Sequence, residues 1–199
     1  MSQAHLTART DEELVSLCLA RGNRDERPFQ ELFQRHRQMV WHVCYSYTRH
    51  PQDAEDLTQD VFFKVYRHLS GFEGRAAFKT WLYRIAVNTA QNELRRRGRR
   101  PQEAGTAVDD LAEVLPSPAN VETSLQAQSE QRLLLAAMSH LRPQEQAILQ
   151  MKDVDQLPYA DIAANLDIGL SAAKMRVQRA RLALQAAYQA LAGDPLDGQ

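Results

Sequence analysis

Three groups of residues have types and spacings suited to binding a nucleic acid or a charged partner. In FKTWLYRIAVNTAQNELRRRGRR, Phe78 to Arg100, apolar residues recur at helical spacing, and Phe78, Leu82, Ile85 and Ala86 form one stripe. Trp81 borders that stripe, and the remaining faces carry Tyr83, Arg84, Asn88, Gln91, Asn92 and Arg95. Rings, amides and guanidinium groups arranged this way suit unpaired bases, which stack on aromatics and expose their hydrogen-bonding edges. The helix then runs into Arg95, Arg96, Arg97, Arg99 and Arg100. Like charges packed so densely repel one another unless something anionic neutralises them, and phosphate is the expected anion.

The second group is YADIAANLDIGLSAAKMRVQRARLAL, which has the layout of a helix-turn-helix. Ile162, Ala163 and Leu166 give the first helix an inner face, Asp167 to Leu170 make the turn, and Ser171 suits an N-cap. Ala173, Val177, Ala180 and Leu184 follow as a core stripe, leaving Ala172, Lys174, Met175, Gln178, Arg179 and Arg181 to face outward. Arginine, lysine and glutamine on one helix face can hydrogen-bond base edges in a major groove, although a solvated helical hairpin would use the same residues.

The third group is DAEDLTQDVFFKVYRHL, with Asp53, Glu55, Asp56 and Asp60 in its first two turns. Acids there complement the helix dipole. Asp56 and Asp60 also share a face, as a metal site would need, but no histidine or glycine-rich phosphate loop lies nearby in sequence. A docking face for a basic partner remains open beside the dipole explanation.

The elements that must position these groups are almost all helical. Thr10 and Glu13 form a capping box in TDEEL, with Gly22 as the expected stop. A second helix is expected from about Pro28 to Arg49, with Phe29, Leu32, Phe33, Val40, Val43 and Cys44 or Tyr47 inward. His50-Pro51 breaks it. A third is expected from about Asp53 to Leu69. Toward the C-terminus the periodicity predicts helices over 125–141, 143–152, 158–166 and 171–191, and no alternating strand pattern runs longer than a few residues.

Charge is segregated although the net charge is only -1. Residues 1–100 hold 17 Lys and Arg against 12 Asp and Glu, whereas residues 101–129 contain Glu103, Asp109, Asp110, Glu113 and Glu122 and no basic residue. That acidic, proline-containing stretch lacks periodicity and is too long for a loop inside one compact domain. The expected architecture is therefore all-α, with two small helical domains, 1–100 and 128–192, joined by a flexible acidic linker over 101–127. No apolar run reaches membrane-span length and no signal pattern opens the chain, so a cytoplasmic location is expected. Cys18 and Cys44 lack CxxC or zinc-ligand spacing and are expected to be buried thiols.

In this order, the pieces resemble the extracytoplasmic-function sigma factors, the two-domain specificity subunits of bacterial RNA polymerase. The resemblance covers roughly residues 10–100 and 130–190. It implies a non-enzymatic protein with no cofactor and no metal. Its partners would be core polymerase, through clamp helices and flap region, promoter DNA and, by family analogy alone, an anti-sigma protein. The Asp53–Leu69 helix resembles the clamp-docking element, which assigns docking to Asp53, Glu55, Asp56, Gln59 and Asp60. The loop from Gly71 to Ala77 resembles one that captures a flipped base of the −10 element. With the helix after it, the implied −10 set is Phe72, Arg75, Tyr83, Arg84, Asn88, Gln91, Asn92, Arg95, Arg96 and Arg97. The C-terminal helix resembles the −35 reader, with Lys174, Met175, Gln178 and Arg179 toward bases and Ser171, Arg176 and Arg181 completing the set. The linker resembles an acidic segment threaded near the polymerase active centre.

Asp167 stands where the family turn usually has glycine, and aspartate tolerates the left-handed conformation better than most residues. Ser171-Ala172-Ala173 replaces the usual Gly-Thr-Val, and Met175 the usual serine. Two hydroxyl donors are missing, which implies a weaker −35 contact or an unusual sequence read there. A duplex-binding regulator that never joins polymerase would explain the C-terminal helices but not the aromatic-amide-arginine helix. An enzyme built on the acidic cluster ranks third.

Overall fold

In a computed structural model, residues 3–21, 25–98 and 125–193 are described, and every regular element among them is helical. In chain order these are α1 (Gln3–Thr7), α2 (Asp11–Arg21), α3 (Arg27–Thr48), α4 (Pro51–His68), α5 (Phe78–Gly98), α6 (Leu125–Ser139), α7 (Pro143–Leu149), α8 (Tyr159–Leu166) and α9 (Leu170–Gly193). The chain divides into two compact units, residues 1–102 with 163–168 and residues 103–162 with 169–199. Gly22, Arg99, Arg100 and most of the expected linker lie outside the described residues.

Local chemistry sets the helix ends in the first unit. The Thr10 hydroxyl accepts from the Glu13 amide at 3.2 Å while the Glu13 carboxylate accepts from the Thr10 amide at 2.9 Å, the expected capping box of α2. α3 stops at Arg49, whose φ of 55° is left-handed and whose amide donates to the Tyr45 carbonyl at 2.9 Å. One residue later the extended backbone of His50 starts α4, with Pro51 in its first turn, where no amide hydrogen is missed. α3 and α4 therefore form a tight hairpin.

α5 packs against α2, α3 and α4. The core of this unit includes Leu32, Val40, Val43, Val61, Val65, Phe78 and Leu82, each fully buried. Phe29 and Phe33, expected inward, are only half-buried on α3. They close the α3–α4 seam as edge-on aromatic pairs, Phe33 to Phe62 at 4.7 Å and Phe29 to Tyr66 at 5.0 Å.

Polar groups tie the N-terminal helices to α3. Arg35 donates to the carbonyls of Leu6 (3.2 Å), Thr7 (3.0 Å) and Arg9 (2.8 Å), to Asp11 (3.0 Å) and to Glu31 (2.9 Å). His36 Nε2 lies 2.7 Å from the other Asp11 oxygen. Burial raises the Asp11 carboxyl, but hydrogen bonds and charge from His36 and Arg35 outweigh it and hold the group below its ordinary range. Glu12, one residue on, accepts from the Phe78 amide at 3.2 Å and so caps the start of α5 across the fold.

In the second unit α9 packs on α6 and α7. The expected helix over 143–152 changes register inside its span: α7 ends at Leu149 and Gln150–Val154 form a π turn, which carries the fully buried Met151. α9 starts one residue before the expected cap, because the Ala173 amide donates to the Gly169 carbonyl at 2.9 Å. Ser171 consequently sits within the first turn, exposed, rather than at the N-cap.

Replacing Arg35 by alanine would strand the buried Glu31 carboxylate and three backbone carbonyls. The expected loss is about 2–4 kcal/mol of unfolding free energy in urea titration. Arg35→Lys should recover only part of it, because an ammonium cannot reproduce the guanidinium fork. A loss below about 0.5 kcal/mol would mean that α1 and α2 are held by their apolar faces alone.

Candidate nucleic-acid interface

α5 is buried along a wider stripe than its sequence suggests. Phe78, Leu82, Tyr83, Ala86, Val87 and Ala90 are all fully buried, while Ile85 is only half-buried. A helix packed on three neighbours needs a broader apolar face than one lying on a single layer. Tyr83, expected on the open face, therefore belongs to the core and offers no ring to a base. What remains open is a polar strip with Arg84, Asn88, Asn92 and Arg95 exposed and Gln91 half-buried. Asn92 Oδ1 accepts from Arg95 at 3.1 Å, so those two side chains are held together.

The loop before α5 is anchored at one end by an aromatic cluster. Phe72 lies 5.7 Å from Phe78 and 5.5 Å from Trp81, and Phe78 lies 5.9 Å from Trp81. Phe72 and Trp81 are half-buried and Glu73 to Ala77 are exposed. Gly74 turns the chain with φ of 70°, a conformation that side chains disfavour. Arg75 is paired with Glu73 at 2.6 Å, but both side chains stand mostly in solvent. The available rings at this end of α5 are thus Phe72 and Trp81.

Two arginines of the block, Arg96 and Arg97, are paired with carboxylates of the chain itself. Arg96 donates twice to Glu93, at 2.8 Å each, and Arg97 donates to Glu93 at 2.9 Å and to Asp53 of α4 at 2.5 Å. The hydrogen bond from Arg96, aided by one from Arg97 and by both charges, pulls the Glu93 carboxyl down to about 2. Arg84 is exposed with no ion pair among the described residues.

On α4, Asp56, Gln59 and Asp60 are exposed as a docking face requires, and Glu55 is half-buried. Asp53, the first member of that set, is half-buried and its carboxylate is engaged by Arg97. The same helix exposes Phe63 by 61% and Tyr66 by 38%, which the sequence analysis did not single out. The signal was present in Phe62-Phe63, because neighbouring helix positions point in different directions and Phe62 holds the buried one.

The helix-turn-helix turn is left-handed at Asp167, with φ of 51°, as expected for an aspartate replacing glycine. Ala173, Val177 and Ala180 are buried, while Leu184 is half-buried. Lys174, Met175, Arg176, Gln178 and Arg179 all stand exposed along α9. Arg181 is exposed as well, but its guanidinium is paired with Asp153 of the π turn, with Nε to Oδ2 at 3.1 Å. Tyr159, absent from the expected set, lies beneath two ammonium groups, Lys152 at 4.6 Å and Lys174 at 6.0 Å from its ring centre.

No group of three or more His, Cys, Asp or Glu among the described residues could hold a metal ion. Burial pushes the Cys18 thiol up to about 11 and the Cys44 thiol up to about 12, so neither supplies a thiolate near neutral pH. No helix among the described residues is long and apolar enough to cross a membrane.

Comparison with known proteins gives matches across both units. Residues 32–100 match the family model for Sigma-70 region 2, and residues 131–184 match that for Sigma-70 region 4. The chain is 31% identical over 191 residues to the RNA polymerase sigma-H factor of Pseudomonas aeruginosa, covering 94% of this chain and 97% of that one. It is 32% identical over 187 residues to the ECF RNA polymerase sigma-E factor of Escherichia coli, covering 92% and 96% respectively. Among solved structures, CnrH in complex with the cytosolic domain of CnrY has a similar fold. Its TM-score is 0.63 at 20% identity over 92% of this chain and 99% of that one. The sigma factor RpoE bound to the anti-sigma factor NepR from Bartonella quintana gives 0.62 at 23% over 85% and 98%.

The division of α5 into core and open strip predicts two kinds of variant. Tyr83→Ala should cost about 3–5 kcal/mol in urea unfolding, as expected for emptying a fully buried aromatic site. Arg84→Ala and Asn88→Ala should each stay within about 0.5 kcal/mol of the parent. A destabilised Asn88→Ala beside a neutral Tyr83→Ala would invert the assignment.

Proposed function

The chain belongs to the extracytoplasmic-function sigma factors of bacterial RNA polymerase, and we propose that three of its surfaces divide the work of initiation. A sigma factor of this type directs core polymerase to promoters by binding −10 and −35 elements. The proposed assignment gives polymerase docking to Asp53, Glu55, Asp56, Gln59 and Asp60 on α4, with Phe63 adding an apolar contact beside them. It gives the −10 element to the loop at Phe72 and the strip Arg84, Asn88, Gln91, Asn92 and Arg95. The −35 element falls to Lys174, Met175, Gln178 and Arg179, with Arg176 toward phosphate.

The single observation behind this division is the open strip of α5 next to the Phe72–Trp81 aromatics. Separating DNA strands requires a destination for the extruded base, and extrusion costs a few kcal/mol. Stacking on a ring returns about 1–3 kcal/mol, and an amide such as Asn88 supplies edge hydrogen bonds. The arginines at the end of α5 position the flanking phosphates without choosing sequence. A regulator confined to intact duplex would have no use for this combination.

On this account the protein acts in the cytoplasm, by binding and with no chemistry of its own. Two of the similar folds are complexes, with CnrY and with an anti-sigma factor. We extend that partner class to this chain, with the exposed Phe63 and Tyr66 of α4 as a surface that an inhibitor would need to cover.

Asn88→Ala should impair opening at a matched −10 element by about tenfold while sparing a template already mismatched there, read by permanganate reactivity of unpaired thymines and by transcript yield. That factor is about the loss of one good edge contact, roughly 1–3 kcal/mol. Equal defects on both templates, or no defect on either, would remove the melting role from α5.

A further inference from the structure

We propose that Asp53 and Glu93 occupy the phosphate-binding end of α5 in the free chain, keeping its DNA affinity low until α4 is docked on polymerase. The proposal rests on the docking and DNA-binding assignments made above and adds a coupling between them. Two residues assigned to different partners are in direct contact: Asp53, in the docking set, and Arg97, in the DNA set, meet at 2.5 Å. One carboxylate thus stands where both surfaces compete for it.

The geometry is that of an internal stand-in for phosphate. Arg97 uses Nη1 on Asp53 and Nε on Glu93, and Arg96 uses Nε and Nη2 on Glu93. A carboxylate and a phosphate seek the same fork of guanidinium donors, so the two cannot both be held by it at full strength. The Arg97 side chain is 28% exposed, Asp53 33% and Glu93 15%, so this pair is less screened than one standing free in solvent. The Arg96–Glu93 contact is weaker for the opposite reason, with Arg96 66% exposed. Asp60 of α4 adds further negative potential at Arg96. The acidic helix and the basic helix end therefore neutralise one another inside the free molecule.

Docking changes the balance. A basic surface on polymerase would attract Asp53 together with Asp56 and Asp60, weakening the hold on Arg97 and freeing its fork for the DNA backbone. The coupling is reciprocal by necessity: DNA that takes Arg97 releases Asp53 and so strengthens docking by the same factor. A free chain built this way avoids binding DNA at random, and the holoenzyme acquires the missing contact.

The test uses the full chain with a fluorescein-labelled, thymine-rich single-stranded oligonucleotide, followed by anisotropy over a range of potassium chloride concentrations. Asp53→Asn and Glu93→Gln should each tighten binding by about three- to tenfold near 0.1 M salt. The slope of log K against log salt should steepen by about 0.7 for each arginine released. Adding Arg97→Ala to Asp53→Asn should return affinity and slope to those of Arg97→Ala alone. With saturating core polymerase and promoter DNA, Asp53→Asn should bring no gain, because docking has already freed Arg97. Unchanged affinity and slope in both single variants would overturn the proposal. So would a gain that survives Arg97→Ala, or one of equal size in the holoenzyme. If α5 fails the matched-template experiment yet shows the gain described here, the clasp stands and only the melting role is lost.

Discussion

Burying α5 against three helices is the constraint on which the first unit depends. Its core stripe, from Phe78 to Ala90, takes up most of the helix circumference and leaves one polar strip open. A strip fixed by packing on several sides presents Arg84, Asn88 and Asn92 in a set register, which is what recognition of separate bases needs. The cap that Glu12 places on Phe78 fixes where that register begins. Arg35 gathers α1 and α2 onto α3, so the residue that supplies the cap is itself held in place.

Electrostatics repeats one theme in both units. Arg97 is paired with Asp53 and Arg181 with Asp153, so in each unit an arginine suited to phosphate has an internal carboxylate partner. Among the described residues, Arg84 on α5 and Arg176 and Arg179 on α9 have no such partner and stand exposed. Affinity for DNA in the free chain is then set by fewer charges than the composition suggests, and each pairing that a partner breaks adds one. The near-zero net charge and the segregated sequence charge are consistent with this arrangement.

Much of this was legible in the sequence where causes are local. The capping box at Thr10, the break at His50-Pro51, the left-handed Asp167 and the exposed basic face of α9 all follow from residues within a few positions of one another. What escaped depends on distant partners. Tyr83 looked like an open ring because one apolar stripe accounts for a helix with a single neighbour, and α5 has three. Arg97 looked free because Asp53 lies 44 residues away in sequence. Ser171 looked like a cap because its hydroxyl suits one, whereas the hydrogen-bond ladder begins at the Gly169 carbonyl. Phe63 stands beside the buried Phe62 but points away from the seam that Phe62 closes against α3.

The central claim is that this chain supplies promoter recognition to a polymerase that lacks it. The most direct measurement is run-off transcription by purified core enzyme on a library of duplex promoters, with and without the chain. The account predicts discrete start sites only when the chain is present, lost after charge reversal of Asp56 and Asp60 in a variant that remains folded. Absence of any chain-dependent start site, or start sites unaffected by that reversal, would contradict it.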